Sequence, residues 1–181
     1  MAIIAKLLTR QDPALTHVHH LYLSAFPAEE RLDWDWLLEK SASDQADFMA
    51  YYDGNDFIGF TYSLKSVTSY YLLFLAVSEN YRSKGYGTQI LSAIANVAGD
   101  RPIFLVIEPI EKQVDNYQQR QRRLAFYEHN GYQILPYYYY ENDEKYQVVS
   151  NQISASLTGF LALAKTIEQS GVMINLVEVS Q

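Results

Sequence analysis

Two spacings of apolar residues trade places along the chain, the two-residue period of a strand and the three-to-four-residue period of a helix. A short strand is predicted over AIIAKLL (2–8). DPALTHVHHLYLSAF (12–26) follows, with Asp12 placed as an N-cap, Pro13 at the first helical position and Leu15, Val18, Tyr22 and Ala25 on one helical face. DWDWLLEK (33–40) predicts a second short helix. DFMAYYDGNDFIGFTYSL (47–64) holds two apolar-rich runs around DGN, the composition of a tight hairpin turn. YYLLFLAV (70–77) is almost unbroken apolar sequence, as expected of a strand covered on both faces.

Beyond residue 80 the helical period returns. Ile90, Leu91, Ile94 and Val97 share a face, and Gly99 is a natural stop. PIFLVIE (102–108) predicts a buried strand, YQQRQRRLAFYEHNGY (117–132) a helix ended by Gly131, and YQILPYYYY (132–140) and KYQVVS (145–150) two last strands. A closing helix fits SASLTGFLALAKTIEQ (154–169). Seven strands interleaved with helices predict a mixed α/β domain. No internal repeat or Pro/Gly/Ser-rich linker divides the 181 residues, so a single domain over 1–181 is expected.

Composition narrows the chemistry. About half the residues are apolar, and the formal net charge is −7 with no basic run, which argues against a nucleic-acid surface and mildly favours a cationic small substrate. The absence of cysteine removes disulfides, thiolate metal sites and a cysteine nucleophile. MAIIAKLLTRQDP shows neither the apolar stretch nor the cleavage site of a signal peptide, and no apolar run approaches the ~20 residues of a membrane span. A cytoplasmic protein without a membrane partner is expected.

YRSKGYGTQIL (81–91) sets two glycines and two cations between an apolar strand and a helix. A triphosphate loop needs Lys followed by Ser or Thr after its last glycine, and here Lys84 precedes Gly85. A dinucleotide fingerprint needs glycine at 85, 87 and 90, but residue 90 is Ile, and eight residues separate Val77 from Gly85. Glu108, at the end of the next strand, is the one feature suiting a ribose-binding acid and hence a nicotinamide-dependent oxidoreductase.

Arg82-Ser83-Lys84-Gly85-Tyr86-Gly87 resembles the Arg/Gln-x-x-Gly-x-Gly/Ala loop of the GNAT superfamily of N-acetyltransferases. The surroundings extend the resemblance to about residues 1–150: LLFLAV before the loop, FLVIE after the following helix, and RRLAFYEHNGY, which places Phe126, Tyr127, Gly131 and Tyr132 in the register of the family's aromatic segment ending in Tyr-x-x-x-Gly-Phe/Tyr. SAFPAEER looks like the start of many bacterial members. The resemblance implies a central, mostly antiparallel twisted sheet of about seven strands with helices on both faces, and acetyl-CoA as co-substrate. Its pyrophosphate would lie on Arg82, Ser83, Lys84, Gly85, Tyr86, Gly87 and Thr88, where glycines admit the anion to the backbone and a helix N-terminus faces it.

Acetyl transfer to an amine needs an oxyanion stabiliser, a base and an acid for the leaving thiolate. The resemblance puts the first on the backbone of Leu75, Ala76 or Val77, on a strand that splays from its neighbour. It makes Tyr127 the general acid, against the plainer reading of a core tyrosine on an amphipathic helix. An alkyl amine with a pKa near ~10.4 is protonated at neutral pH, so a carboxylate should take its proton. Glu108 is the first candidate and Glu30 the second; each could equally be a solvated carboxylate at the end of an element. Where the family often carries Asn seven residues before the tyrosine, this chain has Arg120, within a basic cluster with Arg122 and Arg123, of which at least two are expected to face solvent.

Other signals carry less. His17 and His20 can share a helix face, but two imidazoles without a third ligand make no metal site, so none is expected. Alternate residues of Tyr137–Tyr140 could stack on an acceptor, cover a sheet face or join the interface of a homodimer. Trp34 and Trp36 suit core packing better than an acceptor site. The sequence thus predicts an N-acetyltransferase acting on a primary amine of a small molecule or peptide. Its rival is a non-catalytic module of the same fold, binding acyl-CoA as a sensor or serving as a scaffold.

Overall fold

In the computed structural model, which describes residues 2–179, the DGN segment closes the predicted hairpin. Strand β2 (Ala46–Asp53) runs antiparallel to β3 (Asp56–Lys65), with Asp53 opposite Asp56 across a turn at Gly54, whose φ is +59°. One face of the hairpin carries Phe48, Phe60 and Tyr62, and all three are buried. Helices α1 (Leu15–Ala25) and α2 (Trp34–Ser41) supply the partners for that face. Tyr22 of α1 meets Phe60 edge-on, Trp34 of α2 meets Phe48, and the Tyr62 hydroxyl donates to the Leu37 carbonyl at 2.8 Å.

Capping chemistry sets where these helices begin. Asp33 Oδ1 accepts from the Trp36 N–H, and Asp12 Oδ1 accepts from the Ala14 N–H while pairing with Lys6 at 2.8 Å. The regular part of α1 starts two residues after Pro13, because Asp12 and Pro13 form a tighter turn first.

These elements belong to one of two compact units, made of residues up to 66 and of 72–99. Its strand order is β1-β2-β3-β4, with β1 (Ile4–Leu7) antiparallel to β2 and with β4 (Tyr70–Val77) contributing its residues from Leu72 onward. Helix α3 (Tyr86–Ala98) buries Ile90, Leu91, Ile94 and Ala98, and it stops at Gly99 as its pattern predicts.

The second unit comprises 67–71 and the chain from Asp100. Its order is β4-β5-β7-β6-β8, with β5 (Ile103–Ile107), β6 (Gln133–Glu141), β7 (Glu144–Ser150) and β8 (Ile174–Glu178). Tyr70 and Tyr71 pair in parallel with Ile103 and Phe104; β5/β7, β6/β7 and β6/β8 are antiparallel. Helix α4 (Tyr117–His129) precedes β6, and α5 (Leu157–Lys165) drops Phe160 between Tyr71 and Phe104, with ring centroids 4.9 and 5.0 Å away. Pro136 interrupts the β6/β7 register, and Gln147 Nε2 bridges the gap by donating to the carbonyls of Leu135 and Tyr137.

The mixed, mostly antiparallel sheet with flanking helices agrees with the expected fold class, but the described residues hold eight strands rather than about seven. The additional one is β8, five residues without an alternating pattern strong enough to announce them. Asn142 docks it: its N–H donates to the Met173 carbonyl and its Oδ1 accepts from the Met173 N–H. Residues 1, 180 and 181, included in the predicted single domain, lie outside the described residues.

Candidate active site

The glycine segment links β4 to α3 through a short 3₁₀ turn at Glu79–Tyr81. Two of its residues adopt left-handed backbone, Gly85 at φ +83° and Ser83 at φ +60°. Glycine takes that conformation freely, whereas for serine it costs about 1–2 kcal/mol. Arg82 is fixed by its Nε, which donates to the Val77 carbonyl at 3.0 Å. Lys84 Nζ stands 5.5 Å over the Tyr81 ring. Gly85 is the N-cap of α3, and no side chain caps that helix. The opening N–H groups of a thirteen-residue helix, with two cations beside them, therefore suit the oxygens of a pyrophosphate.

The end of β4 is held close to β3. A methyl group on Gly59 would collide with the Ala76 carbonyl, and the Ser78 N–H donates to the Ile58 carbonyl at 2.8 Å. From Leu73 onward the strand alternates, with Phe74 and Ala76 buried and Leu73, Leu75 and Val77 half-exposed. Phe74 packs under Phe26 and Tyr22, at 4.9 and 5.1 Å between ring centroids. Glu30 ends the 3₁₀ turn Ala28–Glu30 that follows α1. Thus Glu30, Leu75, Ala76, Val77 and residues 82–88 all lie in the first unit.

Tyr127 and Glu108 lie in the second. Gly131, at φ +84°, ends α4 with a paired closure: the Tyr132 N–H reaches the Tyr127 carbonyl and the Gly131 N–H reaches that of Glu128. The Tyr127 and Tyr132 rings pack against each other, 5.8 Å apart. Burial pushes the Tyr127 phenol up to about 12, and the charge of Arg123, one turn earlier, partly opposes that rise. A phenol in that state holds its proton at neutral pH, as a general acid must.

Glu108 follows β5 directly and is surrounded by donors. Oε1 takes Asn116 Nδ2 at 3.1 Å and Arg120 Nη2 at 3.2 Å, and Oε2 takes Arg123 Nη1 at 2.9 Å. Arg120 also donates to the Asn116 side chain and to the Pro109 carbonyl. Arg120 and Arg123 both clamp Glu108, Arg120 with its side chain largely covered and Arg123 with 38% of its side chain still exposed, while Arg122 is exposed. Arg123 pairs with Glu108 and lies one turn before Tyr127 on α4. Of the remaining candidates, His19 stacks on Trp34 at 4.3 Å and Trp36 is buried. Tyr139 is the one fully buried member of its run.

A mixed sheet with an anion-shaped loop between a strand and a long helix is the class of fold that the resemblance implied. The chain matches the profile of the Acetyltransferase (GNAT) domain over residues 44–134, 91 of 181, and it belongs to the GNAT acetyltransferase family. Solved structures share its fold. A protein assigned to the GNAT family from Bacteroides thetaiotaomicron superposes with a TM-score of 0.74 at 21% identity, over 94% of this chain and 99% of its own. An aminoglycoside 6′-N-acetyltransferase complexed with coenzyme A gives 0.58 at 20% identity, over 84% and 98%. The ribosomal-protein-S18-alanine N-acetyltransferase from Escherichia coli gives 0.58 at 16%, over 85% and 96%. No curated protein matches the chain in sequence. Among the described residues no helix is long and apolar enough to cross a membrane.

Proposed function

We propose that this chain is a single-domain cytoplasmic N-acetyltransferase that moves an acetyl group from acetyl-CoA to a primary amine of a small molecule or peptide. The observation that carries the reading is the loop from Arg82 to Thr88, with left-handed backbone at Ser83 and Gly85 leading into the uncapped start of α3. Acetyl-CoA supplies the activated acyl group. In this reading the loop holds its pyrophosphate, and the backbone of Leu75 to Val77 binds the pantetheine arm and steadies the carbonyl oxygen as it gains charge. Tyr127 delivers its proton to the departing thiolate. Glu108 and Glu30 are the two candidates to receive the amine proton, and Glu108 would do so from within a clamp formed by Asn116, Arg120 and Arg123.

The amine acceptor class draws support from the two related structures whose names specify what they act on, an aminoglycoside in one and the alanine of a ribosomal protein in the other. Calorimetry with acetyl-CoA, NAD and ATP tests the donor, and binding of NAD alone would overturn the reading. An amine panel of polyamines, aminoglycosides, amino acids and peptide N-termini, read by free-thiol release, tests the transfer. Tight acetyl-CoA binding without turnover across that panel would instead support the sensor. With a good amine in hand, Tyr127→Phe is expected to lower kcat by 10²-fold or more, on the order of a general acid's contribution, while acetyl-CoA still binds. Full turnover by this variant would remove Tyr127 from the chemistry.

A further inference from the structure

The loop that we assign to the pyrophosphate is bordered by two tyrosines, and both reach the same place. Tyr86 Oη, at the first turn of α3, donates to Asp53 Oδ2 at 2.6 Å. Tyr81, on the other side of the loop, faces Asp56, whose carboxylate holds its phenol above the ordinary value. Asp53 and Asp56 pair across the β2–β3 turn, so one turn holds Tyr86 by a hydrogen bond and presents its second carboxylate to Tyr81. The rings of Tyr81 and Tyr86 complete the grip, meeting edge-on at 5.8 Å. Between them lies the strained Ser83 at φ +60°, a conformation that persists only where its surroundings impose it. Two carboxylates beside an anion-binding loop would by charge alone weaken its affinity. The hydrogen bond from Tyr86 to Asp53, with Asp56 facing Tyr81, gives them another task.

We propose that the β2–β3 turn is a clasp for the cofactor loop, with Asp53, Asp56, Tyr81 and Tyr86 as positioning residues that preset it for the pyrophosphate of coenzyme A. This rests on the reading of the loop given above. The clasp acts on the loop backbone and on Lys84, which Tyr81 carries over its ring; none of the four residues takes part in the acetyl transfer. Its thermodynamic role is preorganisation: an ordered loop does not lose its freedom when ligand binds.

Titration calorimetry with coenzyme A and with pantetheine, which lacks the pyrophosphate, tests the proposal. The double variant Tyr81→Phe/Tyr86→Phe keeps both rings and every charge but removes the two hydroxyls. It is expected to bind coenzyme A about tenfold more weakly, the scale of losing the hydrogen bond from Tyr86 to a charged group, with pantetheine affinity unchanged. Asp53→Ala/Asp56→Ala is expected to weaken coenzyme A binding likewise, although it removes two negative charges. Unchanged coenzyme A affinity in the tyrosine variant, tighter binding in the aspartate variant at low salt, or equal losses for both ligands would each overturn the clasp. If the wild-type protein fails to bind coenzyme A, the loop assignment itself falls. Binding by the wild type with no response in the variants removes the clasp alone.

Discussion

Ser83 is the residue at which the loop's geometry is bought most dearly, a side chain with a Cβ held where glycine would be comfortable. Ser83→Gly relieves about 1–2 kcal/mol of strain but gives the unfolded chain more freedom, worth roughly 0.4–1 kcal/mol. The two nearly cancel, so its melting temperature should stay within a few degrees of wild type. Ser83→Val adds β-branching in the left-handed region and should destabilise by more than about 1 kcal/mol. Denaturant titration of the two variants checks the contrast. The residue scale is also where sequence reading stopped. Gly85 and Gly87 announce a loop, but Tyr86 meets Asp53 across 33 positions, and no spacing rule connects them. Glu108 at a strand end has the look of an available base, but its donors come from residues 8 to 15 positions further along the chain.

Elements were more legible, because their limits follow from local chemistry. The β4 run came through intact over 70–77, α3 ends at Gly99, and α2 begins behind the Asp33 cap. β8 did not, since what places it is pairing with the distant β6 and the Asn142 contacts at its start, rather than its own pattern. Helix α4 offers the sharpest test at this scale. Gly131 closes it at φ +84°, so Gly131→Ala should cost about 1–2 kcal/mol through backbone strain alone, with open space around the new methyl. Thermal unfolding would show a lowered midpoint, and an unchanged one would contradict the assigned closure.

At the scale of the whole molecule, tyrosine dominates the response to alkali. Burial pushes Tyr51 and Tyr127 up to about 12, and it raises Tyr62, Tyr132 and Tyr139 well beyond their ordinary value. Each of these folded-state values lies above that of an unfolded tyrosine, near ~10. The native state therefore binds more protons than the unfolded state once the pH passes ~10, and stability must fall from there. For Tyr51 and Tyr127 the stability is fully present below pH ~10 and is lost as pH rises towards about 12, by roughly 1.4 kcal/mol per group per pH unit. Melting temperatures measured from pH 8 to 11.5 should hold level and then drop steeply; a flat profile would mean these hydroxyls are not buried.

The closure of α4 bears on how the family's history can be read. In this chain the spacing of Tyr127, Gly131 and Tyr132 has a structural use independent of catalysis: the first and last rings pack across a helix end that the glycine makes. Selection for a stable helix end would preserve that spacing in a descendant that no longer transfers acetyl groups. Such a lineage would betray itself by phenylalanine at position 127, with the glycine and the second aromatic residue still in place.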